Sequence, residues 1–361
     1  MTDKANYLVA NGHDVMFLTY AQGENKVFYD LDSRVRQVDV DCSIYVIYNS
    51  PFWNRIKRYL QLRRQFRERM ARVLDDFHPD VVVVTIPNTE DFILDIVTVA
   101  HDKNVKVVVE SHLAFPFHLK NKHLTERILF KLYPPLKAIR QVDLLIALTE
   151  QDADNFRRHK VPQVTVVPNP STYYCDDIGA VEKQEGRIIA VGRLSNQKRH
   201  DRLIRAFSLI ASKYPAWSVD IFGAGPLENS LQMLIERRGL TGRVRLNKPT
   251  HDIIDEYKRS QFFVLSSDFE GFGLVIIEAM ACGLPVVSTN CPCGPSEIIT
   301  DGGNGLLARM DESDLAKKME WLITHEAERR QMGLCAHETS ARYRKELVMP
   351  EWEKTYLSAI N

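Results

Sequence analysis

Twice along this chain, short runs rich in β-branched residues alternate with segments of helical periodicity. In the first half, we predict strands at 13–19, 35–40, 81–86, 105–110, 143–148 and 164–167, and helices at 53–74, 91–101, 124–140 and 150–159. Where each β-rich run is followed by an amphipathic helix, the strands form βαβ units and run parallel. The pattern therefore predicts a doubly wound parallel sheet for the first half.

A second series of the same kind begins at Arg187. Its predicted strands are 187–191, 218–222, 244–246, 262–266 and 285–288, and its predicted helices are 200–213, 227–238, 253–259 and 273–282. Two doubly wound domains that face each other form a cleft, and ligands bind at the carboxyl ends of such strands. We predict domains at 1–170 and 186–342, a polar connector at 171–185, and a C-terminal segment 343–361 whose helix at 350–360 packs back on the first domain.

Composition restricts the classes of function. The 361 residues carry 47 Lys and Arg against 47 Asp and Glu, so global charge gives no sign of a nucleic-acid partner. Apolar runs such as Val81–Val84 are too short to span a bilayer, the first residues lack the apolar core of a secretory signal, and six scattered cysteines are typical of a reducing cytoplasm. Cys291-Pro-Cys293 has no second Cys/His pair at zinc-ligand spacing, so we expect no metal. We predict a cytoplasmic protein.

Two carboxylates and two glycines form the most informative motif, Glu270-Gly-Phe-Gly-Leu, which continues to Glu278. Gly271 and Gly273 allow backbone N–H groups to approach a ligand closely. The helix that follows directs the positive end of its dipole to this point, which favours an anion such as a diphosphate. Glu278 lies a little over two turns beyond Glu270 and can face the same cleft. The alternative is a capping Glu270 with a salt-bridged core Glu278.

Further strand-end loops of similar composition follow other predicted strands of the second series. Gly192, Arg193 and Lys198 follow one strand, and the tight turn from Gly223 to Gly225 follows the next. Arginine binds phosphate oxygens with a fork of donors, and lysine acts as a point charge. A solvated basic turn is the alternative for Arg193 and Lys198 taken alone. A loop at 290–297 makes four such loops at one sheet edge, which together favour an anionic ligand.

In combination these residues resemble the GT-B glycosyltransferases of retaining family 4, which are built from two Rossmann-like domains. In the second half, the resemblance rests on Gly192-Arg193 with Lys198, Gly223-Ala-Gly225-Pro226, the Glu270 and Glu278 pair, Cys293-Gly-Pro-Ser-Glu297 and Asn304-Gly-Leu-Leu307. In the first half, it rests more weakly on Ala5-Asn-Tyr-Leu8 with Gly12-His13, Pro79-Asp-Val81, Glu110-Ser-His112 and Pro168-Asn-Pro170. The resemblance covers nearly the whole chain.

The resemblance implies a catalytic role for four residues. Arg193 and Lys198 would neutralise the diphosphate as the sugar leaves, and Glu270 would hold hydroxyls of the donor sugar. His112, from the first domain, would approach the reacting sugar. Preorganised cations and a helix N-terminus can stabilise a leaving diphosphate without a metal. For His112 the alternative is a structural histidine at a strand end.

The resemblance also implies a binding role for a second set of residues. Glu278 would bind the ribose hydroxyls, the backbone from Phe272 to Leu274 would bind sugar and phosphate, and Pro249 would lie near the base. The glycines that would shape the nucleotide site are Gly192, Gly223, Gly225, Gly271 and Gly273.

Segment 52–74 carries a concentration of positive charge. Eight basic residues stand there against one acid, Glu68, and the apolar residues recur near helical spacing. A basic amphipathic helix can lie on anionic lipid, on the inner face of the cell membrane. The alternative is a helix that packs on the first sheet with its arginines in solvent. No nucleic-acid-binding motif accompanies the patch, so we expect no such partner.

The resulting prediction is a retaining, metal-independent hexosyltransferase. It would use a nucleoside-diphosphate sugar as donor, with no further cofactor, and a glycan or lipid-linked acceptor, in surface polysaccharide biosynthesis. Two alternatives stay open: a phosphorylase of the same fold, against which the ribose-binding Glu278 argues, and a non-catalytic sugar-nucleotide binder or scaffold. The donor base, sugar, acceptor, linkage and oligomeric state do not follow from the sequence.

The start of the chain departs from the family pattern. The family begins with a strand, a glycine-rich loop and a helix whose later part resembles Lys4-Ala-Asn-Tyr-Leu8. That first strand would lie between the strands predicted at 13–19 and 81–86, because it occupies the centre of a doubly wound sheet. We therefore expect the natural reading frame to start roughly twenty residues upstream, and this chain to be less stable and poorly active.

Overall fold

The first half alternates strands and helices, as the sequence pattern predicts. The computed structural model describes residues 1–23, 25, 30–43, 52–86, 92–114, 135–171, 173–178 and 183–360. The strands of the first half are β1 (Met16–Thr19), β2 (Arg36–Asp39), β3 (Val81–Ile86), β4 (Lys106–Ser111), β5 (Leu144–Ala147) and β6 (Val164–Val166). Its helices are α1 (Thr2–Ala10), α2 (Phe52–Phe77), α3 (Ile93–His101), α4 (Pro135–Ile139) and α5 (Glu150–Arg158). Most of the helix predicted at 124–140 lies outside the described residues.

The strands of the first half form two parallel sheets. β3, β4, β5 and β6 are neighbours in that order, and β1 pairs with β2 separately. β1 and β3 thus lie in separate sheets. The strand that we expect from the upstream segment would lie between them. That strand and the upstream start stay predictions.

The second half forms one parallel sheet of six strands. The strands are β7 (Arg187–Val191), β8 (Ser218–Phe222), β9 (Val244–Asn247), β10 (Phe262–Leu265), β11 (Val286–Thr289) and β12 (Gly305–Ala308). The helices are α6 (His200–Ile210), α7 (Glu228–Arg237), α8 (Ile253–Lys258), α9 (Leu274–Ala281), α10 (Pro295–Ile298), α11 (Glu312–Thr324), α12 (Glu326–Ser340) and α13 (Lys345–Ile360). The sequence analysis did not predict β12, α11 or α12.

The strand order of the second sheet places a crevice at its centre. The order is β12-β11-β10-β7-β8-β9, so the chain moves outward from β7 to β9 and then returns to β10 on the other side of β7. At such a switch point the loops that follow the two central strands leave in opposite directions, and ligands bind between them. The loops after β7 and β10 therefore border the expected ligand crevice.

The C-terminal helix α13 returns to the first half. Trp352 is buried, and its indole Nε1 donates to the carbonyl oxygen of Pro168 at 2.8 Å. One apolar cluster contains this tryptophan together with Val108 of β4 and Ile277 of α9, so it joins the two halves. The helix begins at Lys345, earlier than predicted, and keeps Pro350 inside. The predicted helix, at 350–360, began at this proline.

The basic segment is a helix with a partly buried charged face. Arg63 of α2 is 4% exposed, and its Nε lies 2.7 Å from Oδ2 of the buried Asp95 on α3. Arg67 pairs with the same carboxylate, whereas Arg64 is exposed and pairs with Glu68 at 2.8 Å. The expectation of a packed helix with all its arginines in solvent is therefore wrong for Arg63. No helix within the described ranges is long and apolar enough to cross a membrane.

We expect the Arg63→Leu substitution to lower the free energy of unfolding by about 3 kcal/mol, because it leaves the buried Asp95 carboxylate with fewer partners. The matched control is Arg64→Ala, which removes an exposed ion pair on the same helix and should change stability by less than about 0.5 kcal/mol. Urea denaturation measures both values. Equal effects of the two substitutions would contradict a stabilising role for the buried pair.

Candidate active site at the switch point

Lys198 and Glu270 meet where the second sheet changes direction. Lys198 follows β7 and Glu270 follows β10, and these strands are adjacent. The Lys198 Nζ lies 2.8 Å from Oε1 and 3.0 Å from Oε2 of Glu270, which is 5% exposed. The Ser267 hydroxyl donates a further hydrogen bond of 2.6 Å to Oε1. Because a buried carboxylate is costly unless paired, these two donors stabilise the Glu270 carboxylate at the crevice.

The turn from Glu270 to Leu274 has the backbone geometry of an anion site. Gly273 has a φ of +97°, which glycine adopts without strain, and it immediately precedes α9. The first N–H groups of that helix have no partner within it and lie at the positive end of its dipole. Phe272 is buried, and its ring packs edge-on against Tyr343 with centroids 5.7 Å apart. The turn is thus held in place by its aromatic side chain and by the Glu270 N–H, which donates to the carbonyl oxygen of Pro292 at 3.2 Å.

Three close backbone approaches explain why glycines stand in this turn and in the loops at the same sheet edge. A Cβ at Gly271 would lie 2.1 Å from the carbonyl oxygen of His112, so the first half of the chain contacts the turn directly. A Cβ at Gly223 would lie 2.0 Å from the carbonyl oxygen of Gly192. Gly225 packs in the same way against the backbone of Leu194. The loops after β7 and β8 and the turn after β10 are therefore packed too closely for larger residues.

Two other predicted residues lie at the same sheet edge but are exposed. Arg193 follows β7, and Pro249 follows β9, separated from it by Lys248. The carboxyl ends of parallel strands share one edge, so both lie on the side of Glu270. Lys248 donates to Glu228 at 2.7 Å. Among the predicted cations, the structure thus brings Lys198, and not Arg193, into contact with a carboxylate of the site.

Glu278 has a partner that the sequence analysis missed. The hydroxyl of the buried Tyr257, on α8, lies 3.4 Å from Glu278 Oε2. Burial and the neighbouring Glu278 carboxylate raise the pKa of Tyr257 well above its usual value, so the hydroxyl stays protonated and donates. A tyrosine is a weak signal of such a contact, because its hydroxyl needs a partner when it is buried. The Glu278 carboxylate is thereby oriented by a neighbouring helix.

His112 belongs to a buried polar network centred on Glu110. The His112 Nε2 lies 2.8 Å from Glu110 Oε2, and its Nδ1 lies 3.4 Å from the side-chain Nδ2 of Asn169. Lys4 of α1 binds Glu110 Oε2 at 2.8 Å, and the Tyr356 hydroxyl of α13 donates to Oε1. Glu110 therefore joins β4 to both terminal helices and to His112.

The network keeps Glu110 charged. Burial disfavours the carboxylate, but the hydrogen bond from His112 and the Lys4 ammonium outweigh it and lower the pKa of Glu110 to about 2. Burial lowers the pKa of Lys4 to about 8, against the attraction of Glu110. Burial raises the pKa of Tyr356 most, and the nearby Glu110 carboxylate raises it further. At neutral pH Glu110 is thus an acceptor surrounded by donors.

The loop at 290–297 contacts the first half of the chain. The Glu297 carboxylate accepts from the backbone N–H groups of Glu150 and Gln151, each at 2.8 Å. The Cys293 N–H donates to the Gln151 side chain at 2.6 Å. This loop therefore caps α5 across the crevice, a role that its sequence did not indicate. Within the described part of the chain, no group of three or more His, Cys, Asp or Glu residues is placed to hold a metal ion.

Comparisons with known proteins agree with this architecture. Residues 1–170 match the family model described as Glycosyltransferase Family 4, and residues 176–338 match the model described as Glycosyl transferases group 1. An uncharacterized glycosyltransferase of Haemophilus influenzae is 27% identical over 352 residues, which cover 97% of this chain and 92% of that protein. An amylovoran biosynthesis glycosyltransferase of Erwinia amylovora is 29% identical over 216 residues, which cover 58% of this chain and 60% of that protein.

A solved structure shows the same fold over the whole chain. The sucrose-phosphate synthase of Thermosynechococcus elongatus superposes with a TM-score of 0.80 at 19% identity, covering 99% of this chain and 91% of that one. The predicted GT-B fold with two Rossmann-like domains is confirmed. The domain boundaries and the roles of the individual site residues stay predictions.

Acid should selectively remove the stability that Glu110 provides. Its pKa in the folded protein, about 2, lies below its usual 4.5, so its contribution is complete above pH 4.5 and is lost as the pH falls through about 2. The stability advantage of the unaltered protein over Glu110→Gln should therefore shrink by about 2 kcal/mol between pH 5 and pH 3. Urea unfolding of both proteins at several pH values measures this difference, in which other titrations largely cancel. A constant difference would show that Glu110 is not held ionised.

Proposed function

Because this chain belongs to the GT-B glycosyltransferases, with its two halves matching the Family 4 and group 1 models, we propose that it is a retaining hexosyltransferase. Its donor would be a nucleoside-diphosphate sugar and its acceptor a glycan or a lipid-linked glycan. The observation that carries the proposal is the Lys198–Glu270 pair beside the N-terminus of α9, at the switch point of the second sheet. Retention of configuration is supported by the resemblance to the retaining family.

The chemistry of the leaving group matches the charges at this site. A departing nucleoside diphosphate develops negative charge, which Lys198, Arg193 and the N–H groups at the start of α9 would stabilise without a metal. Glu270 would accept hydrogen bonds from hydroxyls of the donor sugar while Lys198 stays next to it. The cation would thus be held close to the breaking bond before the reaction, which avoids reorganisation in the transition state.

The nucleoside would occupy the other side of the crevice. Glu278 would accept both ribose hydroxyls, and the Tyr257 hydroxyl at 3.4 Å would fix the carboxylate in the required orientation. Pro249, at the end of β9, would border the base. A ribose-binding carboxylate favours a transferase over a phosphorylase of the same fold, because a phosphorylase has no ribose to bind.

The proposal also includes a class of acceptor and a cellular site. The relative named for amylovoran biosynthesis supports a role in the biosynthesis of a polysaccharide. That this polysaccharide is a surface polymer and that the enzyme acts in the cytoplasm are parts of the proposal. Contact of α2 with an anionic membrane stays part of the proposal, but fewer of its basic residues would face the lipid than the sequence predicts. Arg63 and Arg67 bind Asp95, so the exposed cations that would face lipid include Lys57 and Arg72.

We expect nucleoside diphosphates to bind without a divalent metal. Calorimetry with UDP, GDP and ADP, each with and without EDTA, should give the same dissociation constant for the preferred base within about twofold, since the positive charge comes from Lys198, Arg193 and the start of α9. The corresponding nucleotide sugars then test turnover, which a non-catalytic binder would lack. Loss of all binding in EDTA would contradict the metal-independent mechanism.

Substitutions should separate catalytic from binding residues. Glu270→Ala and Lys198→Ala should each lower turnover by about 10²- to 10³-fold, the scale found on removing one preorganised contact to the transition state. Glu278→Ala should instead weaken nucleoside-diphosphate affinity, because ribose is bound equally in the ground and transition states. Steady-state kinetics and calorimetry measure the two effects. An unchanged affinity together with lost turnover in Glu278→Ala would reverse this assignment.

A further inference from the structure

We propose that Glu110 is a positioning residue for the donor site, which fixes His112 as the Nε2–H tautomer and leaves its Nδ1 as a hydrogen-bond acceptor for a hydroxyl of the sugar. This inference rests on the proposed function, because it assumes that His112 contacts the donor. The reaction described above uses neither the buried Glu110 carboxylate nor the terminal helices α1 and α13, and this inference gives them a role.

The direction of the hydrogen bond follows from the other partners of Glu110. The Lys4 ammonium has only protons to donate, and the Tyr356 hydroxyl donates to Oε1. A carboxylate surrounded in this way is an acceptor only, so the proton between Glu110 Oε2 and His112 Nε2 belongs to the imidazole. A neutral imidazole with its proton on Nε2 has its lone pair on Nδ1. The Asn169 amide nitrogen, 3.4 Å from Nδ1, is a donor that matches this lone pair.

The carboxylate is held rigidly enough to define the position of the ring. Glu110 is completely buried and receives donors from α1, from α13 and from its own strand end. The Lys4 ammonium also lies over the Trp352 ring, 2.9 Å from its centroid, which fixes the cation from the other side. Outer partners of this kind orient a functional histidine and set its tautomer.

The position of His112 connects this network to the turn that holds Glu270. The carbonyl oxygen of His112 lies so close to Gly271 that a Cβ there would be 2.1 Å away. The His112 side chain is 24% exposed, so a ligand can reach it, whereas Glu110 is out of reach. The contact at Nδ1 is long, at 3.4 Å, and a sugar hydroxyl can replace or join the Asn169 amide there. The C-terminal helix thus contributes to the donor site through Tyr356 and Glu110.

A double-mutant cycle separates positioning from a purely structural ion pair. We expect Glu110→Gln to lower the turnover of the preferred nucleotide sugar, measured as nucleoside diphosphate formed, by about 10- to 100-fold. This is the scale for outer partners of functional histidines. The affinity for the nucleoside diphosphate alone should stay within about twofold. In a His112→Ala background, Glu110→Gln should cause no further loss, because the carboxylate acts through the imidazole. An equal loss in both backgrounds would overturn the proposal.

Arg63→Leu is the matched control for lost stability, because it breaks a buried ion pair on α2 that does not involve His112. It should lower stability while leaving turnover within about twofold. If Glu110→Gln does not fold, Lys4→Met combined with Glu110→Gln replaces the buried ion pair by an uncharged pair and is measured instead. Loss of turnover in Arg63→Leu equal to that in Glu110→Gln would also overturn the proposal.

The tautomer can be measured without any activity. In the ¹⁵N-histidine-labelled protein at pH 7.5, the signals of His112, assigned by their absence in His112→Ala, should show the Nε2–H tautomer. Glu110→Gln should give a mixture, because an amide can both donate and accept. An Nδ1–H tautomer in the unaltered protein would overturn the proposal. If no nucleotide sugar is turned over, the proposed function fails, and this measurement still decides whether Glu110 positions His112.

Discussion

The adjacency of β7 and β10 is the constraint on which the site depends. The parallel sheet reverses its direction of growth between these two strands, so their following loops lie side by side. That arrangement brings Lys198 within hydrogen-bond distance of Glu270, although 72 positions separate them in the chain. It also places the start of α9 at the same crevice. The charge pair, the helix dipole and the glycine-bracketed turn thus act at one point because of the strand order.

The second organising interaction is the buried carboxylate of Glu110. It joins β4 to α1 through Lys4 and to α13 through Tyr356, and it holds the His112 ring. A buried ion pair of this kind adds little net stability compared with apolar packing, but the loss of one partner is costly. This agrees with the proposed effect of Glu110 on His112, whose carbonyl oxygen packs against Gly271 of the Glu270 turn.

The predictions failed where local pattern and tertiary context disagree. β12, α11 and α12 were missed, although their residues form part of the core beneath the second sheet. β12 spans only four residues, and the apolar residues of α11 and α12 are interrupted by polar ones. Arg63 has no local signal that separates it from the exposed Arg64, since the choice depends on Asp95 across the helix interface. The loop at 290–297 has the composition of a phosphate loop, and its capping of α5 through Glu297 is an additional contact that the sequence did not predict. In each case the deciding partner is distant in sequence.

The sequence by itself determined the fold class and the central motif of the site. Alternation of β-rich and helical segments specifies parallel doubly wound sheets, and Glu270, Gly273 and Glu278 stand in one turn and the helix that follows it, close together in the sequence. Only the tertiary structure decided which partners these residues take: Lys198 for Glu270, Tyr257 for Glu278, and Glu110 with Lys4 and Tyr356 for His112. The physical reason is that periodicity records local burial, whereas pairing of buried charges and hydroxyls depends on segments that only folding brings together.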